Sequence, residues 1–172
     1  MKLFAIYIGG STANSLIELH DMRFVIADSV EDTHADLKAG WWGTPESLHI
    51  DCFGELTSAD GYNIHLRREP SAGDEKLYFV NLGAYDPKEF TELHKDVFVI
   101  APTESKAKVK ALKIIRDWGA HHVDNMYDIE KMFCLNDLAR EKSLYIHLEK
   151  TDAPKPFEFV CKYMPLEGKK RA

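Results

Sequence analysis

The sequence predicts an α+β protein made of two tandem ββαββ repeats related by a pseudo-two-fold axis, with one further strand at the C-terminus. Three observations predict it: a self-match between the two halves, short β-branched and aromatic runs ended by glycine, and one amphipathic helix in each half. Sliding the chain on itself by 74 residues sets Lys2, Leu3, Gly9, Glu18, Leu19, His20, Phe24, Val25, Ile26 and Ala27 on identical residues from Lys76 to Ala101. Further along, His49-Ile50-Asp51 answers His122-Val123-Asp124 at offset 73, and Ile64-His65-Leu66 answers Ile146-His147-Leu148 at offset 82. The change places an insertion near residues 125–135, an extra loop or short helix in the second copy. The first repeat therefore covers residues 1–68, a Pro-, Ser- and Gly-containing linker 69–75, the second repeat 76–150, and a tail with a strand 151–172.

Each element has a local cause. Leu3 to Ile8 and Leu77 to Leu82 read as first strands, and Phe24 to Ala27 and Phe98 to Ala101 as second strands that begin as early as the Glu-Leu-His before them. Ser29 opens a helix, with Asp32 three residues on as a capping-box variant and Val30, Leu37 and Trp41 as its apolar face. In the second copy Thr103 is the cap, and Ala107, Ala111, Ile115 and Trp118 form the stripe before Gly119. Leu48 to Leu56 and Tyr62 to Leu66 follow as strands around an Asp60-Gly61 hairpin turn; Ser143 stands where the first copy has Gly61, so the second copy lacks the turn's glycine. Phe157 to Tyr163 alternates as a strand after Pro154 and Pro156. Trp41 and Trp118 are expected as core anchors, and Trp42 at a seam between the units rather than on a binding surface.

The strand-Gly-Gly element, Glu18-Leu19-His20-Asp21 running into Phe24-Val25-Ile26-Ala27, and Asn81-Leu82-Gly83-Ala84-Tyr85-Asp86-Pro87 followed by Glu92-Leu93-His94-Lys95 and Phe98-Val99-Ile100-Ala101, resemble the bacterial domain of unknown function 1543 family in its tandem two-copy form. The resemblance covers nearly everything except the tail. It implies no activity, cofactor or site residue, because the family carries no assigned chemistry.

Composition narrows the function classes. The 172 residues carry 22 Lys and Arg against 28 Asp and Glu, a net charge of -6, which argues against capture of nucleic acid or anionic membrane. Three unpaired-looking cysteines fit a reducing cytoplasm, and Leu3 to Ile8 is too short for a membrane span or an export signal. Residues 1–68 hold five bases and ten acids, while 76–150 are near neutrality with Lys106, Lys110, Lys113 and Arg116 along one helix stripe. That stripe reads as a solvated face or, through attraction to the acidic first helix, as a route to head-to-tail self-association.

Six of the eight histidines lie at matched positions, and the pairs Glu18-x-His20, His49-x-Asp51, Glu92-x-His94 and His122-x-Asp124 have the spacing that puts both members on one strand face. Imidazole and carboxylate on one face ligate a divalent metal or form a base and its orienter; the same pairs also serve as buried hydrogen-bonded structure. Glu18, His20, His49, Asp51, Glu92, His94, His122 and Asp124 are therefore the candidate polar site, with no catalytic residue, metal or cofactor assigned. His65 and His147 are expected to face away from a core formed by their Ile and Leu neighbours. Gly9-Gly10-Ser11-Thr12 lacks the lysine of a phosphate loop and reads as a tight turn. The favoured reading is a non-catalytic binding or protein-interaction module; the alternative is a small metal-assisted or general acid-base enzyme using the repeated pairs.

Overall fold

The computed structural model describes residues 1–86, 88–116 and 127–167, with side chains at all of these except 115, 116, 127 and 128. Among them the chain forms ten strands in three sheets with three short α-helices, an α+β architecture. It divides into two compact units, residues 1–57 with 156–172, and residues 58–155.

In the first unit, β1 (Lys2–Gly10) runs antiparallel to β2 (Leu19–Ala27) on one side and to β3 (His49–Glu55) on the other, and β10 (Val160–Pro165) closes the far edge of β3. Between β2 and β3 lies a 3-10 turn, Glu31–Thr33, that continues into α1 (His34–Gly40). Strand alternation sends Phe4, Ile6 and Ile8 to one face, where they meet Val25, Ala27, Leu37, Leu48 and Ile50. Ile6, Ile8 and Ile50 are wholly enclosed, each stabilising the unit by about 1.5–3 kcal/mol. Tyr7, Gly9 and His20 belong to the opposite face, as the register Tyr7 to Met22 and Gly9 to His20 requires.

Ser29 and Asp32 exchange hydrogen bonds in both directions, the Ser29 N–H to Asp32 Oδ2 (3.1 Å) and the Asp32 N–H to Ser29 Oγ (3.3 Å), so the capping box forms. It caps the 3-10 turn rather than an α-helix. Trp41 comes just after α1 and is half-buried against the core, with its indole N–H on Thr44 O at 3.0 Å, while Trp42 is exposed. The tail strand starts at Val160, later than the alternation predicts, because Phe157 and Phe159 pack on each other at 5.9 Å instead of joining the ladder. Gly9 and Gly10 are the last residues of β1, not a turn; the chain reverses further on, where the Ser15 N–H donates to Thr12 O (3.3 Å).

In the second unit, β6 (Lys76–Ala84) lies between β7 (Leu93–Ala101) and β8 (Tyr127–Cys134), and α2 (Glu104–Arg116) packs Ala107 and Ala111 onto Tyr78, Val80, Leu82 and Val99. The Lys106 N–H donates to Thr103 Oγ1 (3.3 Å), so Thr103 is the cap. Trp118 and Gly119 lie outside the described residues. A separate sheet joins β4 (Ser58–Ala59), β5 (Tyr62–Arg67) and β9 (Tyr145–Lys150), with His65 directly opposite His147 and Ile64 and Ile146 buried beside them.

The two turns of this unit solve the same problem differently. Asp60 (φ 53°) and Gly61 (φ 82°) make the hairpin, and Asp60 Oδ2 accepts from the Ile100 N–H (2.6 Å) and pairs with Lys110. After β8 comes a helix, α3 (Leu135–Glu141), which ends in a left-handed Ser143 (φ 56°). There the Ser143 N–H donates to Arg140 O and the Leu144 N–H to Ala139 O, both at 2.9 Å, the two bonds of a Schellman cap. No helix among the described residues is long and apolar enough to cross a membrane.

Candidate functional site

Gly9 sits between two histidines. It is opposite His20 on β2 and opposite His49 on β3, so both imidazoles rise from the same face on either side of a residue with no side chain. Glu18 lies two residues before His20. Asp51 lies two after His49, at a bulge where β1 passes from Tyr7 opposite Cys52 to Ile8 opposite Ile50. The tail strand is irregular at the same level, between Cys161 and Met164. The four side chains form a ring: His49 Nε2 to Glu18 Oε1 3.1 Å and to Asp51 Oδ1 3.3 Å, His20 Nε2 to Asp51 Oδ2 3.4 Å and to Glu18 Oε2 3.7 Å.

Gly9 is required here because of close approach. A Cβ would stand 2.6 Å from His49 Nε2 and 2.8 Å from Asp51 Oδ2, nearer than real Cβ atoms come. The His49 side chain is 3% exposed, covered by Tyr163 of β10 at a ring distance of 4.5 Å, whereas the Glu18 side chain is 52% exposed. His20 stacks on Tyr7, with ring centroids 5.2 Å apart and planes 4° from parallel.

The orientation of His49 is fixed from behind. Its Nδ1 lies 2.8 Å from Ser47 O, so Nδ1 carries the proton as donor and Nε2 turns into the ring. Ser47 is braced in turn: its hydroxyl donates to Thr44 O (2.6 Å) and accepts from the Ser11 N–H (2.9 Å). His49 Nε2 and Asp51 Oδ2 are both buried without a hydrogen-bond partner. The side chains as they stand do not form a metal site: among the described residues no group of three or more His, Cys, Asp or Glu could hold an ion.

A cavity of about 340 Å³ opens beside the ring, lined by Ser11, Leu16, Ile17, Glu18, His49 and Tyr163 among others. A larger one of about 630 Å³, in the second unit against the linker residues Pro70 to Glu75 with Asn136 and Arg140, holds none of the candidate side chains.

The end of β6 has the same frame with other residues. Gly83 is opposite His94 on β7 and opposite Asp128 on β8, and the bulge between Asn81 and Leu82 leaves Glu130 at the level that Asp51 has in the first sheet. A Cβ on Gly83 would stand 2.7 Å from Glu92 Oε1 and 2.9 Å from Glu130 Oε1, and His94 Nε2 lies 3.7 Å from Glu92 Oε2. The Glu92 carboxylate beside Tyr85 raises the phenol above its usual range, helped by a hydrogen bond between the two and by the charge of Glu130. His122 and Asp124 lie outside the described residues. Asp128-Ile129-Glu130, which the β6 register brings to Gly83, escaped the sequence reading; the signal for it was the central isoleucine that it shares with His49-Ile50-Asp51. Tyr7, Ser47 and Tyr163 also escaped the sequence reading, since nothing local marks them as neighbours of histidines.

Fold and site together define an α+β protein with a polar cluster at a strand end, over a glycine that makes room for it. The chain belongs to the family described as Domain of Unknown Function (DUF1543), whose model matches residues 15–66, a span that includes Glu18, His20, His49 and Asp51. It is also similar to the crystal structure of a protein Il1583 from Idiomarina loihiensis, at 30% identity and a TM-score of 0.69, over 97% of this chain and 99% of that one. None of the curated proteins matches the chain.

Proposed function

We propose that the protein is a binding module that takes a positively charged ligand at the Gly9 end of the first sheet, through Glu18, His20, His49 and Asp51. One observation carries this reading: the buried polar atoms left without partners at that end, His49 Nε2 and Asp51 Oδ2, are acceptors, ringed by further carboxylate oxygens. A buried acceptor without a donor costs about 1–3 kcal/mol, so a ligand that brings positive charge stabilises the arrangement. The acidic balance of the first repeat steers cations toward it.

Tandem duplication is part of the same proposal. It is supported by the equal nine-residue registers of β1 with β2 and β6 with β7, and by bulges at corresponding places in β1 with β3 and β6 with β8. On this reading the second copy kept the frame and changed the residues. Self-association through the helices is a weaker part, because Lys110 is engaged by Asp60 and by Ile100 O, leaving the exposed Lys106 and Lys113 of the stripe. Free Cys52, Cys134 and Cys161 support the cytoplasm as the compartment. The enzyme alternative is favoured only by the cavity beside His49, which leaves room for a small substrate next to an oriented imidazole.

The test is urea unfolding of a Glu18→Gln, Asp51→Asn double variant in chelator, beside thermal shifts of the unaltered chain with zinc, magnesium and spermidine. A binding site keeps or gains stability when its converging carboxylates are neutralised, and a cation raises the melting temperature of the parent alone. A loss of about 2 kcal/mol or more in the variant, with no cation response in the parent, makes the ring a structural pair network instead.

A further inference from the structure

We infer that the ligand of this strand end is a divalent transition-metal ion of the zinc class, held by His20, His49, Asp51 and Glu18; the inference rests on the binding reading above and names its ligand. Two imidazole nitrogens and two carboxylates are the donor types that zinc accepts, whereas magnesium and calcium prefer oxygen alone. Bonds of about 2.0–2.1 Å in a tetrahedron place neighbouring donors about 3.3 Å apart; each imidazole Nε2 of this ring lies 3.1 to 3.7 Å from one oxygen of Glu18 and one of Asp51, so small side-chain shifts bring one oxygen of each carboxylate and both nitrogens to a common centre.

His49 has the outer arrangement of a metal ligand: Nδ1 on a backbone carbonyl, Nε2 buried, unpartnered and aimed inward. Two carboxylates with two neutral imidazoles cancel the charge of a dication, so the enclosed site holds no net charge. Gly9 supplies the space on the sheet side, where any Cβ would occupy the room of the donors.

The imidazoles and carboxylates now stand side by side around the ring with no hydrogen bond at His49 Nε2 or Asp51 Oδ2, and the ion draws them onto a common centre. Glu18 is the arm that moves: it is half exposed and lies one residue before β2, while His49 is enclosed and Asp51 is set in β3. The second strand end is not an equivalent site. Among the described residues it gathers Glu92, Glu130 and one imidazole, that of His94, a more oxygen-rich set at a more exposed position.

The experiment is zinc titration of the full, untagged chain after chelator treatment, in competition with a chromogenic chelator, for the parent and for His20→Asn, Asp51→Asn and Glu92→Gln. The expected result is one zinc ion per chain, bound at least 100-fold more tightly than magnesium, weakened at least tenfold by His20→Asn and by Asp51→Asn, and unchanged by Glu92→Gln. Circular dichroism identifies any variant that does not fold; Asp51→Asn keeps the shape of the side chain and leaves the test intact. If zinc binds with parent affinity to both His20→Asn and Asp51→Asn, the ion is held elsewhere and the inference is overturned. If zinc does not bind but spermidine stabilises the parent and not Asp51→Asn, the metal is wrong and the cation site stands. If no cation binds, both fail.

Discussion

At Gly9 the first sheet gathers two imidazoles and two carboxylates, with one imidazole sealed under Tyr163; at Gly83 the second sheet gathers, among the described residues, one imidazole and two glutamates, with Tyr85 at their side. The backbone frame is shared: a strand glycine opposite one residue on each neighbouring strand, and a bulge one step inward. What differs is how firmly the donors are held. His49 is enclosed and tied to Ser47, whereas Glu130 is exposed and His94 half exposed. A frame thus sets where side chains converge, and the support behind each side chain sets what the convergence is able to hold.

The largest expected effect separates the two glycines. Gly9→Ala should cost about 2–3 kcal/mol in urea unfolding, because His49 has no room to withdraw from the added Cβ, while Gly83→Ala should cost less than about 1 kcal/mol, because the ends of Glu92 and Glu130 swing aside. Equal losses at the two sites would break the comparison.

Next come the two left-handed turns of the second unit. Asp60→Ala removes the acceptor for the Ile100 N–H and the partner of Lys110, and should lower stability by about 2 kcal/mol. Ser143→Gly should raise it by about 0.5–1 kcal/mol by relieving the left-handed serine that closes α3. A loss in the second case, measured in the same urea titration, would mean that the serine does more than cap.

Much of this comparison was legible in the sequence. Period-two spacing put Glu18 with His20 and His49 with Asp51, and the apolar runs located β1, β2, β6 and β7, although β1 and β6 extend past Leu3 to Ile8 and Leu77 to Leu82 to nine residues each. The meeting of the two pairs was not legible, because it depends on which residues of β2 and β3 face Gly9, a matter of register between strands. Tyr163 was out of reach for the same reason: it arrives with a tail strand from the other end of the chain. Asp128-Ile129-Glu130 was not legible as a partner of Gly83, because only the pairing of β8 with β6 brings it there. Ser143 needs no hairpin glycine because a helix, α3, precedes it, and Ser143 closes that helix as its cap.

The smallest effect concerns the thiols. Burial, followed by the facing Cys161, pushes the Cys52 thiol from 9.0 up to about 11. Iodoacetamide at pH 8 should therefore label the exposed Cys161 first, with Cys52 lagging and its rate climbing about tenfold per pH unit toward 11. Because the fold disfavours the thiolate, the stability this group contributes is whole below pH 9 and is lost as the pH rises through 11. Equal labelling of Cys52 and Cys161 at pH 8, read by peptide mass, would contradict the burial of Cys52.

Most direct of all is anomalous diffraction at the zinc edge from crystals grown with one equivalent of zinc. The account predicts a single peak at the Gly9 end, about 2.0–2.1 Å from Nε2 of both His20 and His49, and none at the Gly83 end. Peaks of equal height at both ends, or density at Gly83 alone, would contradict it.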